Sequence, residues 1–454
     1  MEGLHDPMES SNVFARMPES VKDVARRITQ TGYGLWLVGG AVRDHLLGKT
    51  PADWDFSTNA PPESVHGVLS PPYRVVTFGL RHGTLHAVTP DGAVEITSWA
   101  ANGEAGIVKD LERRDFTINA MALSYPDGIF LDPFEGRKDL AAGRLRGVVD
   151  PAARFREDPL RPFRAARLVA CLGFRVSRAT RKAMRQAAPW LARTATERIR
   201  DEFFKLIQGP HVVEALELCR RTGLTAVFFP ELLEGWRKQQ NHYHRHDIYR
   251  HTLLSVAFSP PRLRVRLAAL LHDIGKPRVR QKIRGIYRFY GHEKLSARMA
   301  SEILARWLTP KKLAEEVVTL VENHMVHATD LWKDGAVRRL IQRVGEPLLE
   351  DFLDLVRADR LAHGTEDDPK GAVERLALRM RRILEAKPAL TEKALAITGR
   401  DVMAVTGVPQ GPEVGRILKQ ALTVVVKDPS KNTRPFLVQW LREKAAQGAE
   451  KGDP

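Results

Sequence analysis

Cysteine is scarce in this chain: Cys171 and Cys219 are the two in 454 residues. That number and spacing leave no Cys-x-x-Cys zinc pattern, and nothing calls for an oxidising compartment. Both fall in apolar helical stretches, where a free thiol behaves as a small core residue. Long apolar runs are also missing. None reaches the roughly 18 residues that a membrane-spanning helix requires, and the N-terminal segment has no signal-peptide core. The expectation is a soluble, cytoplasmic protein with no membrane partner. Aromatics make up only 7%, so groove and phosphate contacts are expected over long base-stacking platforms.

Positive charge is abundant. Lys and Arg number 71 against 55 Asp and Glu, a formal net charge of +16. Such a surplus points to a polyanionic partner; a merely solvated basic surface is the competing reading. Apolar residues reach 43%, which allows buried cores and excludes wholesale disorder. The length favours several domains.

The first part of the chain alternates short strands with glycines. Leu35-Trp36-Leu37-Val38 reads as a buried strand stopped by Gly39-Gly40, with a helix at about 41–47. Asp53-Trp54-Asp55-Phe56, Val75-Val76-Thr77, Leu85-His86-Ala87-Val88 and Val94-Glu95-Ile96-Thr97 read as further strands. After about residue 137 strand signals largely vanish and helical periodicity takes over, over 156–172, 179–192, 196–208 and 211–222, then 245–365. The fold class expected is α+β: a small mixed-sheet head, then a long, mainly α-helical body. The boundaries expected are 21–137 for the head, 138–240 for a helical neck, 241–365 for a His-rich domain and 366–446 for a C-terminal helical region.

Gly39-Gly40 stands between a strand and a helix, where uncovered backbone amides suit a triphosphate, and Arg43 follows on the first turn. Taken alone, two glycines fit a plain tight turn equally well. Asp53 and Asp55 change this. They flank Trp54 on a predicted strand, so both carboxylates project from one face. Such a pair repels itself unless a cation sits between, and magnesium takes carboxylate and phosphate oxygens. Glu95 on a later strand is the candidate third carboxylate.

Three strings then identify a resemblance. LVGGAVRDHLLG followed by DWDF resembles motif A of the class II tRNA nucleotidyltransferase and bacterial poly(A) polymerase superfamily. Arg113-Arg114-Asp115-Phe116-Thr117-Ile118-Asn119-Ala120 is similar to its ribose-binding motif B. The stretch from Glu157 to Arg167 is similar to its base-selecting motif D. The resemblance covers residues 30–240 well and the rest more loosely. It implies Mg2+ held by Asp53, Asp55 and Glu95, and a triphosphate held by Gly39, Gly40 and Arg43. It implies that Arg114, Asp115 and Asn119 face the ribose and that Asp158 and Arg161 read the base. Arg164 and Arg167 would hold phosphates and frame the pocket. The partners implied are tRNA, CTP and ATP. Chemistry supports the base-reading idea: a carboxylate and a guanidinium three residues apart share a helix face and match the amine-beside-acceptor edge of cytosine and adenine. An ordinary Asp–Arg helix pair is the alternative.

In CCA-adding members the stretch between the Glu-bearing strand and motif B holds a flexible loop. Here Trp99 reaches Asp110 through a short, glycine-containing link. In that family, loss of the loop marks enzymes that add only two cytidines, so CC addition stands beside full CCA addition.

The second constellation is imidazole-rich. His242, His244, His246 and His251 precede Leu271-His272-Asp273-Ile274-Gly275-Lys276, followed by His292, His324, His327 and Asp359. Helices carrying His, a His-Asp doublet and a later Asp resemble the HD phosphohydrolase superfamily. That resemblance implies His251, His272, Asp273 and Asp359 as metal ligands, with His292 and His324 lining the site or taking a second metal. Mixed imidazole and carboxylate ligation suits a divalent transition metal. His242, His244 and His246 read as a polar approach to a helix, not as ligands. Related HD modules hydrolyse phosphate esters such as 2′,3′-cyclic phosphates; a retained but inactive site is the alternative. The rival readings of the whole are a bacterial poly(A) polymerase and an HD phosphohydrolase whose head merely binds RNA.

Overall fold

The run Leu35–Val38 is apolar throughout because the strand it forms, β1, lies inside a sheet, with both faces covered. The other strands are β2 (Trp54–Thr58), β3 (Arg74–Thr77), β4 (Thr84–Thr89), β5 (Gly92–Ser98), β6 (Ala122–Tyr125) and β7 (Phe130–Leu131). The sheet order is β3-β4-β5-β2-β1-β6-β7. β2 and β5 pair in parallel, and the other neighbours run antiparallel. This is a computed structural model, and it describes residues 11–77, 83–99, 106–241, 244–326, 332–364 and 369–449.

The amphipathic helix Glu19–Thr29 buries Val21, Val24, Ala25 and Ile28 and packs on β1 and β4. Val38, Leu111, Ala120, Ala122 and Val148 form a core that Trp36, Ile107, Leu131 and Phe134 extend. Asp139, fully buried, accepts from Thr117 Oγ1 at 2.7 Å and from Arg146 Nε at 2.7 Å, so the loop carrying motif B is pinned from below.

The neck is helical. Its Phe163, Phe203 and Phe228 meet edge to face, with ring centroids 5.3 to 6.1 Å apart. The sequence suggests one helix over 156–172, but the chain forms two, Pro151–Glu157 and Arg161–Leu172. Pro159 and Pro162 explain the break: neither ring fits a helix interior, whereas Pro162 is at home in the first turn.

The chain divides into two units, Met1–Phe229 and Pro230–Pro454. Among the described residues the second is helical apart from the hairpin Gln281–Ile283/Ile286–Arg288. The first unit also holds a two-residue parallel pair, Arg144–Leu145 with Arg175–Val176. Both short ladders lie in the region where the sequence shows little strand signal. Asp247 caps the helix Ile248–Phe258, its carboxylate accepting from Arg250 N at 2.7 Å. The C-terminal helices close around Val402, Ala421, Val425, Leu437 and Leu441. No helix among the described residues is long and apolar enough to cross a membrane. Cys219 is buried and its thiol is pushed up to about 12 by burial, but Cys171 is only partly covered.

Candidate active sites

Strand register builds the first site. Asp55 on β2 is paired with Glu95 on β5 and, on its other side, with Val38, the last residue of β1. In a parallel pair, registered residues share a face, so Asp55 and Glu95 stand side by side. Gly39 follows Val38 with φ +72, and a Cβ built there would lie 3.5 Å from Asp55 Oδ2 and 2.9 Å from Arg114 Nη1. Glycine is required twice over, by backbone angle and by space. Asp53 is exposed just before β2.

Asp55 is pushed up to about 6: burial is the main cause, Glu95 and Asp53 add to it, and Arg114 and Arg164 oppose it. A carboxyl in that state is short of positive charge, as expected where a divalent cation belongs. The set is open: Glu95 is 45% exposed, with His86 Nε2 at 3.7 Å. Among the described residues, Asp53, Asp55 and Glu95 do not bring three donor atoms within 4.8 Å of one another.

A hydrogen-bonded chain links the glycine turn to the other motifs. Arg43 donates to Asp44 Oδ1 and Asn119 Oδ1, each at 2.8 Å. Asn119 Nδ2 donates to Asp115 Oδ1 at 3.0 Å, and Arg164 Nη2 lies 3.1 Å from Asp115 Oδ2. Burial opposes the charge on Asp115, but Arg164 and the Asn119 bond outweigh it and hold the carboxyl below its ordinary value. Arg114 is held by Asp110 Oδ2 at 3.3 Å, and Ser57 Oγ donates to the same oxygen at 2.9 Å. Nothing in the sequence singled out Asp110.

Motif D differs from the geometry expected. Asp158 is not on the helix with Arg161; it sits in the joint before it, with extended backbone. Its Oδ2 lies 3.0 Å from Arg198 Nη2 and its Oδ1 accepts from Leu160 N. Arg161 donates to the carbonyls of Arg154 and Arg113 at 3.0 and 2.9 Å. The two residues therefore have separate supports, and the shared helix face is a correction. Arg167 is bound to Glu202, where the sequence placed it on phosphates.

The second site is built on helices. His251 projects from Ile248–Phe258, His272 and Asp273 follow Leu263–Leu271, and Asp359 comes from Leu349–His363. His251 Nε2 lies 3.3 Å from His272 Nε2, 3.2 Å from Asp273 Oδ2 and 3.0 Å from Asp359 Oδ1. Two ring nitrogens facing each other at that distance need a cation between them or a proton on one. A metal bound at about 2.1 Å sets its ligands roughly 3 to 3.5 Å apart, which these spacings match. Asp273 also faces His292 Nε2 at 3.3 Å and His324 Nε2 at 3.7 Å. His292 Nε2 is buried with no hydrogen-bond partner.

The outer nitrogens set the tautomers. Nδ1–H of His272, His292 and His324 donates to the carbonyl of the residue three earlier, Ala269, Phe289 and Val321, at 2.8, 2.8 and 2.7 Å. That leaves each Nε2 lone pair aimed inward, the orientation of a metal ligand. Without a metal, burial works against a charge on His272, but Asp273 and Asp359 outweigh it and hold the ring up at about 10, so that a proton takes the Nε2 position a metal would otherwise occupy. Burial and the neighbouring His272 press His324 down to about 3. Asp273 lies well below its ordinary value: His272 and Lys276, whose Nζ is 2.6 Å away, overcome its burial.

Two histidines enlarge the cluster. His244, which the sequence left outside the ligand set, groups with His251 and His363 within 4.8 Å. Burial, with Lys276 adding, presses its ring down to about 2. His363 went unnoticed, although it lies four residues after Asp359 on one helix and so on the same face. His242 and His327 lie outside the described residues.

A metal-dependent nucleotidyltransferase head joined to an HD body is the class that these two centres define. Known proteins agree. The chain matches the poly A polymerase head domain over residues 35–146, the "Probable RNA and SrmB- binding site of polymerase A" over 173–235 and the HD domain over 248–387. It is 33% identical to an A-adding tRNA nucleotidyltransferase of Deinococcus radiodurans, over 90% of this chain and 96% of the relative. It is 32% identical to the CC-adding tRNA nucleotidyltransferase of Thermus thermophilus, over 91% and 95%. The crystal structure of the Bacillus stearothermophilus CCA-adding enzyme in complex with CTP superimposes with a TM-score of 0.70 at 28% identity, over 95% of this chain and 98% of that one. The chain belongs to the tRNA nucleotidyltransferase family, and poly(A) polymerase is not the favoured alternative.

Proposed function

We propose that this protein adds nucleotides of the CCA end to tRNA without a nucleic-acid template, taking them from CTP or ATP and releasing pyrophosphate. The observation that carries the reading is the register placing Asp55 beside Glu95 and against the Gly39 turn. Asp53, Asp55 and Glu95 would hold the metal. Mg2+ bound there would activate the RNA 3′-hydroxyl and neutralise charge on the leaving pyrophosphate. Amides of Gly39 and Gly40, with Arg43, hold the triphosphate. Arg114, Asp115 and Asn119 fix the ribose. Asp158 reads the base from the joint and Arg161 from the helix start, while Arg164 and Arg167 frame the pocket. Such a site works by positioning and electrostatics. A tRNA substrate supports a cytoplasmic location.

The link between β5, ending at Ser98, and the helix Ile107–Glu112 supports CC addition as a second reading, because it leaves little chain for a loop that reshapes the pocket. The test offers tRNA ending before CCA, and tRNA ending in CC, with labelled CTP or ATP. Growth confined to the CCA positions is expected. Two C without A would establish CC addition, and a long A tract or no growth would overturn the proposal.

For the body we propose a metal-dependent phosphohydrolase acting on phosphate ends such as 2′,3′-cyclic phosphates. His251, His272, Asp273 and Asp359 would hold a divalent transition metal, and Asp273, His292 and His324 a second. The metal would act as a Lewis acid on the ester. Lys276 fixes the orientation of Asp273, and the backbone bonds to Nδ1 keep the rings aimed. Orphaned His292 Nε2 supports this fit.

A further inference from the structure

Between Asp273 and His292 the chain leaves the HD centre and returns to it. Arg278–Tyr290 carries Arg278, Arg280, Lys282, Arg284 and Arg288, and no Asp or Glu. Its middle is an antiparallel hairpin with Lys282 opposite Tyr287 and Ile283 opposite Ile286. Arg284 and Gly285 have φ 48 and 82, the two left-handed residues of a tight hairpin turn.

Paired residues share a face. Ile283, Ile286 and Arg288 lie on one face. The other carries Lys282 and Tyr287, with the Arg280 guanidinium 3.6 Å over the Tyr287 ring. Ile283, Ile286 and Tyr290 are 43%, 37% and 72% exposed. An isolated two-stranded hairpin is marginal, so its base must be held. Arg280 Nε donates to Gln239 O at 3.0 Å. Phe289 is buried, and its carbonyl accepts from His292 Nδ1. Lys276 Nζ lies 5.5 Å from the Phe289 ring centre while touching Asp273. The exposed hairpin is thus anchored directly to residues of the HD centre.

We propose that the hairpin Gln281–Arg288, with Tyr290, binds the single-stranded end of an RNA and presents its terminal phosphate to the HD centre. The substrate class is then an RNA end and not a free nucleotide. The RNA strand crosses the tip of the hairpin, so that Lys282 on one face, Arg284 in the turn and Arg288 on the other face meet successive backbone phosphates, and Tyr290 stacks on a base. Arg278 at the base is paired with Glu234, its Nη2 2.7 Å from Oε1, but from Arg280 onward the cations interleave with aromatics and the segment itself carries no acidic residue; joined to a phosphate-ester centre, that favours RNA over a protein partner. The inference rests on the phosphohydrolase reading above.

The full chain is tested on an RNA oligonucleotide ending in a 2′,3′-cyclic phosphate and on bis(p-nitrophenyl) phosphate. Lys282→Gln/Arg284→Gln/Arg288→Gln should lower kcat/KM on the RNA at least about 10-fold, and Tyr290→Ala about 3-fold or more, mainly through KM. Hydrolysis of the small ester and metal per chain should change less than about 2-fold, by the same reasoning that phosphate contacts act on the strand alone. Equal loss on both substrates, or none on RNA, overturns the proposal. If wild-type protein cleaves neither ester, the phosphohydrolase reading fails separately. Photo-crosslinking of a 3′-terminal 4-thiouridine then decides. Crosslinks to residues 280–290 that the triple variant loses support RNA binding by the hairpin, and crosslinks elsewhere alone refute it.

Discussion

In the head the carboxylates form a partly open rim: Asp55 is largely covered on β2, but Asp53 just before that strand is exposed and Glu95 on β5 is nearly half exposed. In the body, His251, His272 and Asp273 are wholly enclosed, with the two ring Nε2 atoms 3.0 to 3.4 Å from oxygens of Asp273 and Asp359. A rim of carboxylates leaves coordination to be completed by a triphosphate, so it suits a hard cation that arrives with its nucleotide. A buried set of two imidazoles and two carboxylates would supply most ligands itself and so hold a metal between turnovers. Burial and donor type thus separate a cation that comes with the substrate from one that stays with the protein.

The largest test of that contrast is Asp55→Ala, which should lower the rate of nucleotide addition by about 1,000-fold or more while tRNA binding is retained. Near-normal incorporation would remove the head from the comparison. Next, His272→Ala/Asp273→Ala should cost the body its metal, a loss of about 100-fold or more in affinity, yet leave nucleotide addition within about 2-fold. Metal analysis after gel filtration checks the first part; a matching fall in transferase activity would show the centres are not independent. Gly39→Ala should then lower kcat/KM for the nucleotide about 10-fold, because its Cβ would sit 2.9 Å from Arg114 Nη1 at a left-handed φ; steady-state kinetics with CTP measures it.

The smallest effect concerns pH. Metal-free Asp55 titrates near 6, above its ordinary carboxyl value of 3.8. Between those values the folded state binds more protons than the unfolded one. Stability therefore falls as pH rises through that window and levels off above it. Asp55→Asn escapes the loss. Its gain over wild type should be about 1 to 2 kcal/mol near pH 8, allowing for screening at a partly exposed site, and should vanish near pH 4. Denaturant melts in chelator test this, and an equal gain at both pH values would contradict it.

Much of the head was legible because its signals are local. A continuous apolar run stopped by Gly39-Gly40 named β1, short alternating or β-branched runs named β2 to β5, and two aspartates flanking Trp54 named a carboxylate pair. Register was not legible: that Asp55 faces Glu95 depends on which strands pair and in which direction. Motif D misled because three-residue spacing implies a shared face only on one continuous helix, and two prolines divide it. His244 was discounted because its position comes from a turn brought beside the Leu349–His363 helix, which no local pattern encodes. His363 was readable from its distance to Asp359 but was overlooked. The hairpin is too short for its alternation to stand out.

The parallel pairing of β2 with β5 has one more consequence. Glu95 is held in register by the ladder that β5 makes with β2 and β4, three residues before the strand ends at Ser98 and the link to the helix Ile107–Glu112 begins. Residues may be gained or lost there while the reacting groups keep their places. A one-residue slip within β5 would instead turn Glu95 to the opposite surface. The ladder therefore ties the Asp55–Glu95 pair to the sheet itself, and chain length beyond Ser98 can change without shifting their register.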